Sequence, residues 1–128
     1  MNPCDCKSED GVCLHPISKV IRLIGKKWMI FLFMTFPTDQ KPVRYSEIKE
    51  NLLKLDKTAI SDTTLTTRLN ELIKYGLLIR KQYDEIPPRV EYQLTDIGVK
   101  LCESLMPMIE WANQYCHAIN SESFKLQI

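Results

Sequence analysis

The chain has 128 residues, of which 45% are hydrophobic and 26% are charged. This length suits one domain with a hydrophobic core, and the composition excludes an intrinsically disordered chain. The formal net charge of +1 neither predicts nor excludes a nucleic-acid partner, because binding depends on how charge is distributed over the folded surface. The longest apolar run, WMIFLFM at 28–34, is too short to span a membrane. We therefore expect a cytoplasmic protein with no membrane partner.

The first residues, 1–15, are predicted to form a polar arm in front of a domain at 16–128. The arm carries four side chains of the types that zinc prefers: Cys4, Cys6, Cys13 and His15. The spacings C-x-C and C-x-H are tighter than those of common structural zinc sites. A frayed arm with ordinary thiols and a redox-sensing thiol are therefore alternatives to zinc. We expect no cofactor, with zinc kept open as an alternative.

Two helices are predicted next. From Pro16, apolar residues recur at helical spacing up to Ile24, and Gly25 ends the stripe. The following segment, KKWMIFLFMTF at 26–36, is apolar nearly all round, which is typical of a helix with no water-facing side. Two prolines in PTDQKPV at 37–43 end it. We expect this second helix to be central to the fold.

A pair of short helices follows. In RYSEIKENLLKL at 44–55, Ser46 is the expected N-cap of the first helix. In ISDTTLTTRLNELIKYG at 60–76, Ser61 is the expected N-cap of the second and Gly76 its C-terminal stop. Leucines at helical spacing predict a buried face for the second helix, whose polar face is rich in small hydroxyl side chains.

A β-hairpin is predicted after this pair. LLIRKQY at 77–83 and VEYQLT at 90–95 are rich in β-branched and aromatic residues. Between them, DEIPPR at 84–89 suits a loop, because proline fixes φ and has no N–H to donate. A long final helix at about 96–120 completes the chain.

The order of these elements is typical of a winged helix-turn-helix, a mainly helical α+β fold with a small β-hairpin. In such a fold the second helix of the pair fits the major groove of duplex DNA, and its outward side chains meet base edges. Threonine can donate or accept a hydrogen bond there, and arginine can fork onto guanine or a phosphate. The candidate contacts on this helix are Ser61, Thr63, Thr64, Thr67, Arg68 and Lys74.

The hairpin is expected to lie beside that helix. It would bring Arg80, Lys81 and Arg89 to a neighbouring phosphate row or to the minor groove. The two prolines stiffen the tip, so that Arg89 loses less entropy on binding. The sequence therefore favours a sequence-specific DNA-binding regulator.

The sequence leaves one alternative class of function open and argues against another. A winged helix can also serve protein–protein contact without DNA binding, and steep salt dependence would distinguish DNA binding from it. An enzyme is not expected, because the sequence has no glycine-rich phosphate loop, no G-x-S-x-G and no H-E-x-x-H. The two histidines, His15 and His117, also lie at opposite ends of the chain.

Four segments resemble the HxlR-type branch of the MarR-like winged-helix transcriptional regulators. They are LIGKKW at 23–28, RYSEIKENL at 44–52, TLTTRLNELIKYGLLIRKQYDEIPPRVEYQLTDIG at 64–98 and MIEW at 108–111. The resemblance implies a homodimer that binds double-stranded DNA at an inverted repeat. It also implies that the terminal helices, including the one at about 96–120, pack across a two-fold axis.

The resemblance further implies roles for single residues. Ser46 resembles a phosphate contact, whereas Thr64, Thr67, Arg68 and Arg89 match the reading helix and the wing tip. Among the thiols, Cys13 lies nearest the position of the family's sensing cysteine, although Leu14 and His15 separate it from Pro16. An oxidant or a small molecule is therefore a candidate effector.

Overall fold

The computed structural model describes residues 13–55 and 59–116. In chain order its elements are α1 (His15–Ile24), α2 (Met29–Met34), β1 (Val43–Arg44), α3 (Tyr45–Leu55), α4 (Asp62–Lys74), β2 (Leu78–Tyr83), β3 (Arg89–Leu94) and α5 (Asp96–Gln114). The strands form one antiparallel sheet in the order β1-β3-β2. The predicted fold class is confirmed, with one strand more than the predicted hairpin.

The additional strand, β1, changes how α3 begins. Val43 pairs with Tyr92 and Arg44 pairs with Glu91 of β3. The chain enters α3 immediately afterwards, at Tyr45. The prediction of Ser46 as the N-cap of α3 is therefore wrong, because Ser46 already lies in the first helical turn.

The core lies between the helices and one face of the sheet. The α2 residues Met29, Leu32 and Phe33 are at most 1% exposed, which agrees with the predicted central position of this helix. The leucine stripe of α4 is fully buried, at positions 65, 69 and 72. Burial of one leucine side chain contributes about 1.5–3 kcal/mol, so this stripe fixes which side of α4 faces outward.

Both predicted ends of α4 are confirmed. The Ser61 hydroxyl accepts a hydrogen bond from the backbone N–H of Thr64 at 3.1 Å, as an N-cap does. After the helix, Gly76 has a φ of +74°, a left-handed conformation that favours glycine. The start and the end of α4 are therefore determined by residues next to the helix in sequence.

The end of α4 is joined to the start of α5. The Thr95 hydroxyl donates to the carbonyl of Gly76 at 2.6 Å and accepts from the N–H of Gly98 at 3.1 Å. A Cβ atom at Gly98 would lie 2.3 Å from the Leu77 carbonyl oxygen, so only glycine allows this approach. The position of α5 thus constrains the position of α4.

Two helices carry large apolar side chains that the rest of the described chain leaves exposed. On and beside α1 these are Leu14, Ile17 and Ile21, and on α5 they are Ile97, Met106, Met108 and Trp111, followed by Tyr115. The rings of Trp111 and Tyr115 lie 5.6 Å apart between centroids. Within 13–55 and 59–116, no helix has both the length and the apolar character that crossing a bilayer requires.

Candidate nucleic-acid interface

The polar residues of α4 fall into two groups on either side of the helix. Because successive residues turn by about 100°, the side chains opposite the leucine stripe face outward, and the groups on each flank meet different neighbours. We call Thr63, Thr66, Thr67, Asn70 and Lys74, all exposed, the open flank of α4. We call Thr64, Arg68 and Glu71, all partly buried, the tied flank.

The open flank contains two residues that the sequence analysis missed. Thr66 and Asn70 are exposed and face the hairpin across a cleft. An asparagine amide can pair with both hydrogen-bonding groups of an adenine edge. Helical spacing in the sequence would have identified both residues, because Thr66 and Asn70 follow Thr63 by about one and two turns and so lie on the same side of the helix.

The hydroxyl groups of the predicted threonines are partly engaged within the helix. Thr67 donates to the carbonyl of Thr63 at 2.8 Å. Thr64 accepts from the Ser61 hydroxyl at 2.8 Å. Thr67 therefore offers a partner its methyl group and its oxygen lone pairs, which suit a thymine methyl and a base amino group.

The tied flank holds α4 against the connection between α1 and α2. Arg68 Nε donates to the carbonyl of Lys27 at 3.1 Å, and Arg68 Nη1 lies 2.6 Å from a Glu71 carboxylate oxygen. Lys26 forms an ion pair with the other oxygen of Glu71. These hydrogen bonds, first that of Lys26 and then that of Arg68, lower the pKa of Glu71. The structure thus gives Arg68, predicted to read bases, a set of contacts inside the protein.

A second contact fixes α3 relative to α4. One carboxylate oxygen of Asp62 accepts from Tyr45 Oη at 2.7 Å and from Lys49 Nζ at 2.8 Å. The hydrogen bond from Lys49, followed by that from Tyr45, lowers the pKa of Asp62. The negative charge at the start of α4 is therefore balanced by Lys49, which reduces its repulsion of a DNA backbone. Ser46 is exposed in the neighbouring first turn of α3.

The wing consists of β2, β3 and the loop between them. Arg80 and Lys81 are exposed on β2. Arg89 is more constrained, because its guanidinium carbon lies 4.1 Å from the centre of the Tyr83 ring. The same guanidinium also contacts carboxylates of Glu85 and Glu91.

A cleft of about 870 Å³ separates the wing from α3 and α4. Among the residues that the structure describes, its charged lining is mainly basic, with Arg44, Arg80 and Arg89 and one carboxylate, Glu85. The polar lining also includes residues with hydroxyl and amide groups: Tyr45, Ser46, Thr66, Asn70 and Tyr92. Arginine, hydroxyl and amide groups are the usual partners of phosphates and base edges. One side of the molecule thus combines an outward helix with a basic groove.

This arrangement agrees with the match of residues 23–120 to the family described as HxlR-like helix-turn-helix. The chain belongs to that family. An HTH-type transcriptional regulator of Halalkalibacterium halodurans is 36% identical over 96 residues, which cover 75% of this chain and 80% of that relative. The HxlR-like chain is a transcriptional regulator with a DNA-binding helix-turn-helix, and the family is not one of enzymes.

Solved structures support the same assignment. A MarR-family transcriptional regulator from Enterococcus faecalis is 28% identical and superposes with a TM-score of 0.67, over 91% of this chain and 96% of that chain. The redox regulator HypR in its reduced form is 30% identical with a TM-score of 0.65, over 78% of this chain and 92% of that chain. The predicted winged helix-turn-helix of MarR-like type is therefore confirmed.

The cysteines near the start of this HxlR-like chain are only partly described. Cys4 and Cys6 lie outside the described residues, and His15 is the first residue of α1. Cys13 takes part in a disulfide bond, and a disulfide sulfur is not the thiolate that zinc binds. In the described part of the chain, no three His, Cys, Asp or Glu side chains form a metal-binding group.

The two later cysteines are free thiols in different settings. Cys102 is buried in α5, and its Sγ lies 3.9 Å from the Phe33 carbonyl oxygen. Burial, with a smaller effect of Glu103, raises the pKa of Cys102 to about 11. A thiol with so high a pKa is a poor nucleophile at neutral pH, as expected for a packing role. Cys116 is exposed.

Proposed function

We propose that this regulator acts in the cytoplasm as a homodimer on an inverted-repeat operator. The observation that carries the proposal is the open flank of α4 beside the basic cleft, on one side of the subunit. In this arrangement α4 enters the major groove, and Thr63, Thr67 and Asn70 meet base edges. The wing contributes Arg80, Lys81 and Arg89 to the adjacent backbone or minor groove, while Ser46 contacts a phosphate.

The apolar faces of α1 and α5 support the dimer. Ile17 is 50% exposed and Trp111 is 52% exposed, and a second copy of the chain would remove both from water. Stable interfaces bury more than about 1,000 Å² in total, an area that two helices per subunit can supply. A two-fold axis then places the two α4 helices about 34 Å apart, the length of one duplex turn.

We further propose that oxidation at Cys13 controls operator binding, in line with the similarity to the redox regulator HypR. Cys13 lies two residues before α1, which the proposed dimer places at its interface. Cys13 is disulfide-bonded in the structure, which is the oxidised state. Formation of this disulfide from two thiols releases two electrons and two protons, which a peroxide accepts. A change in the position of α1 alters the separation of the two α4 helices and misaligns both half-sites. A small-molecule effector is the alternative.

Selection of bound fragments from a random pool of DNA tests the operator and the dimer together. We expect two inverted half-sites whose centres are about 10 base pairs apart, and a sedimenting mass of two 14.9 kDa chains. Affinity should fall steeply as salt rises, because phosphate contacts release counterions. Recovery of no common motif, or of a single half-site bound by a monomer, would overturn the proposal.

The redox proposal is tested separately with the selected operator. Peroxide added to the reduced wild type should change its affinity for the operator, and Cys13→Ser should abolish this response. Cys102→Ala is the matched control, because its buried thiol with a raised pKa should leave the response intact. An unchanged response in Cys13→Ser would contradict a sensing role for this cysteine.

A further inference from the structure

Arg89 on the wing is contacted by two carboxylates at the same distance. Glu85 Oε1 lies 3.3 Å from Arg89 Nη2, and Glu91 Oε1 lies 3.3 Å from Arg89 Nε. The face of the guanidinium rests on the Tyr83 ring. Although the distances agree, the two carboxylates differ in surroundings, since the side chain of Glu85 is 52% exposed and that of Glu91 is 14% exposed.

Glu91 lies within the sheet among three basic residues. It is directly opposite Arg44 of β1 and Lys81 of β2 in the strand register, and residues opposite each other in a sheet point to the same face. Arg89 shares that face, because it lies two positions earlier on β3. Glu91 thus balances the charge of this basic cluster, and it lies beside one edge of the Arg89 guanidinium as an ion pair without hydrogen-bond geometry.

Glu85 lies in the loop of the wing, beyond the end of β2. In the described part of the chain, Glu85 is the one carboxylate that lines the basic cleft, and Arg89 lines the same cleft. A carboxylate and a phosphate bind a guanidinium through the same kind of charged oxygen. Glu85 therefore occupies, in the protein without DNA, the position in which a backbone phosphate would meet Arg89.

We propose that these two carboxylates act on DNA binding in opposite directions. Glu91 is a positioning residue that keeps Arg89 flat against Tyr83 both before and after DNA binds. Glu85 is a displaceable substitute for a DNA phosphate, so that binding requires the exchange of one anion for another. This inference rests on the proposed contact between the wing and the DNA backbone.

The test compares Glu85→Gln with Glu91→Gln, which remove the same charge from the same wing with almost no change in shape. Binding to the selected operator is measured by fluorescence anisotropy. We expect Glu85→Gln to tighten binding about twofold to fivefold, because an exposed competing ion pair is lost. We expect Glu91→Gln to weaken binding about fivefold or more, because Arg89 loses its fixed orientation.

The opposite signs separate this proposal from a simple effect of net charge. Loss of any negative charge near DNA should tighten binding, so two variants that both bind more tightly by similar factors would overturn the proposal. Two variants that both bind more weakly would also overturn it. If the wild type itself bound no duplex DNA, the proposed function would fail, which is a different result.

Two further measurements address folding and specificity. Glu91→Asp keeps the charge but shortens the side chain, and it should weaken binding while the thermal melting curve stays close to that of the wild type. In an Arg89→Gln background, Glu85→Gln should tighten binding less than it does in the wild type, since the group that it competes for is absent. An unchanged effect of Glu85→Gln in that background would contradict the anion exchange.

Discussion

The two flanks of α4 are both polar, yet they differ in what their side chains contact. On the tied flank, Arg68 and Glu71 bind Lys26 and the carbonyl of Lys27 in the connection between α1 and α2. On the open flank, the Asn70 and Lys74 side chains make no hydrogen bond or ion pair with any residue that the structure describes. Polar composition alone therefore does not separate a structural surface from a binding surface.

The difference assigns separate tasks to the two flanks. Bonds on the tied flank hold α4 at a fixed angle to the helices that carry the proposed dimer interface. On the open flank, exposed groups such as the Asn70 amide and the Lys74 ammonium contribute little to folding, because water can satisfy them in the unfolded and the folded chain alike. We infer that substitutions on the tied flank change mainly stability and that substitutions on the open flank change mainly DNA binding.

The largest expected effect comes from Arg68→Ala on the tied flank. The substitution removes the hydrogen bond to the Lys27 carbonyl and the ion pair with Glu71, so the free energy of unfolding should fall by about 2–3 kcal/mol. Urea denaturation measures this change. Lys74→Ala on the open flank is the control and should stay within about 0.5 kcal/mol of the wild type. Equal stability of the two variants would remove the distinction between the flanks.

A smaller effect is expected from pH. The pKa of Glu71 in the folded protein lies below its ordinary value of 4.5. At pH values between the folded pKa and 4.5, the unfolded chain therefore binds more protons than the folded protein. The stabilisation is complete above about pH 4.5 and is lost as pH falls through the folded pKa. As pH falls from 6 to 3, the free energy of unfolding of the wild type should therefore decrease by about 1 kcal/mol more than that of Glu71→Gln. Parallel urea titrations between pH 3 and pH 6 would contradict this.

The smallest expected effect comes from Lys74→Gln on the open flank. If Lys74 contacts a phosphate, its loss should weaken binding to operator and random duplex alike, and the slope of log affinity against log salt should decrease by about 1. Lys41→Gln, in the connection between α2 and β1, removes the same charge outside both the basic cleft and the proposed dimer faces, and it should leave the slope unchanged. A change in base preference in Lys74→Gln would instead indicate a base contact.

Much of the fold was predictable because its signals are local. The leucine stripe of α4, its Ser61 cap and its Gly76 stop all lie within one short segment, and the hairpin follows from alternating residues around two prolines. The two-residue strand β1 was not predictable, because it exists only through its pairing with β3. The start of α3 depends on that strand, which is why Ser46 was misplaced as an N-cap.

The division of α4 into two flanks could not be predicted for a related reason. Arg68 and Lys27 are 41 positions apart in sequence, and Lys26 and Glu71 are 45 apart. Helical spacing indicates which residues face outward, but only the packing of α1 and α2 decides which of them meet another part of the chain. Asn70 faces the cleft for the same reason, since the wing closes its far side.

The most direct test of the account is a comparison of base preferences between the wild type and Asn70→Ala. Both proteins are used to select fragments from the same random pool of DNA, with Asn113→Ala on α5 as a matched control. The account predicts that Asn70→Ala loses preference at one position in each of two symmetric half-sites and keeps it elsewhere. Identical preferences in Asn70→Ala and the wild type would contradict base reading by the open flank of α4.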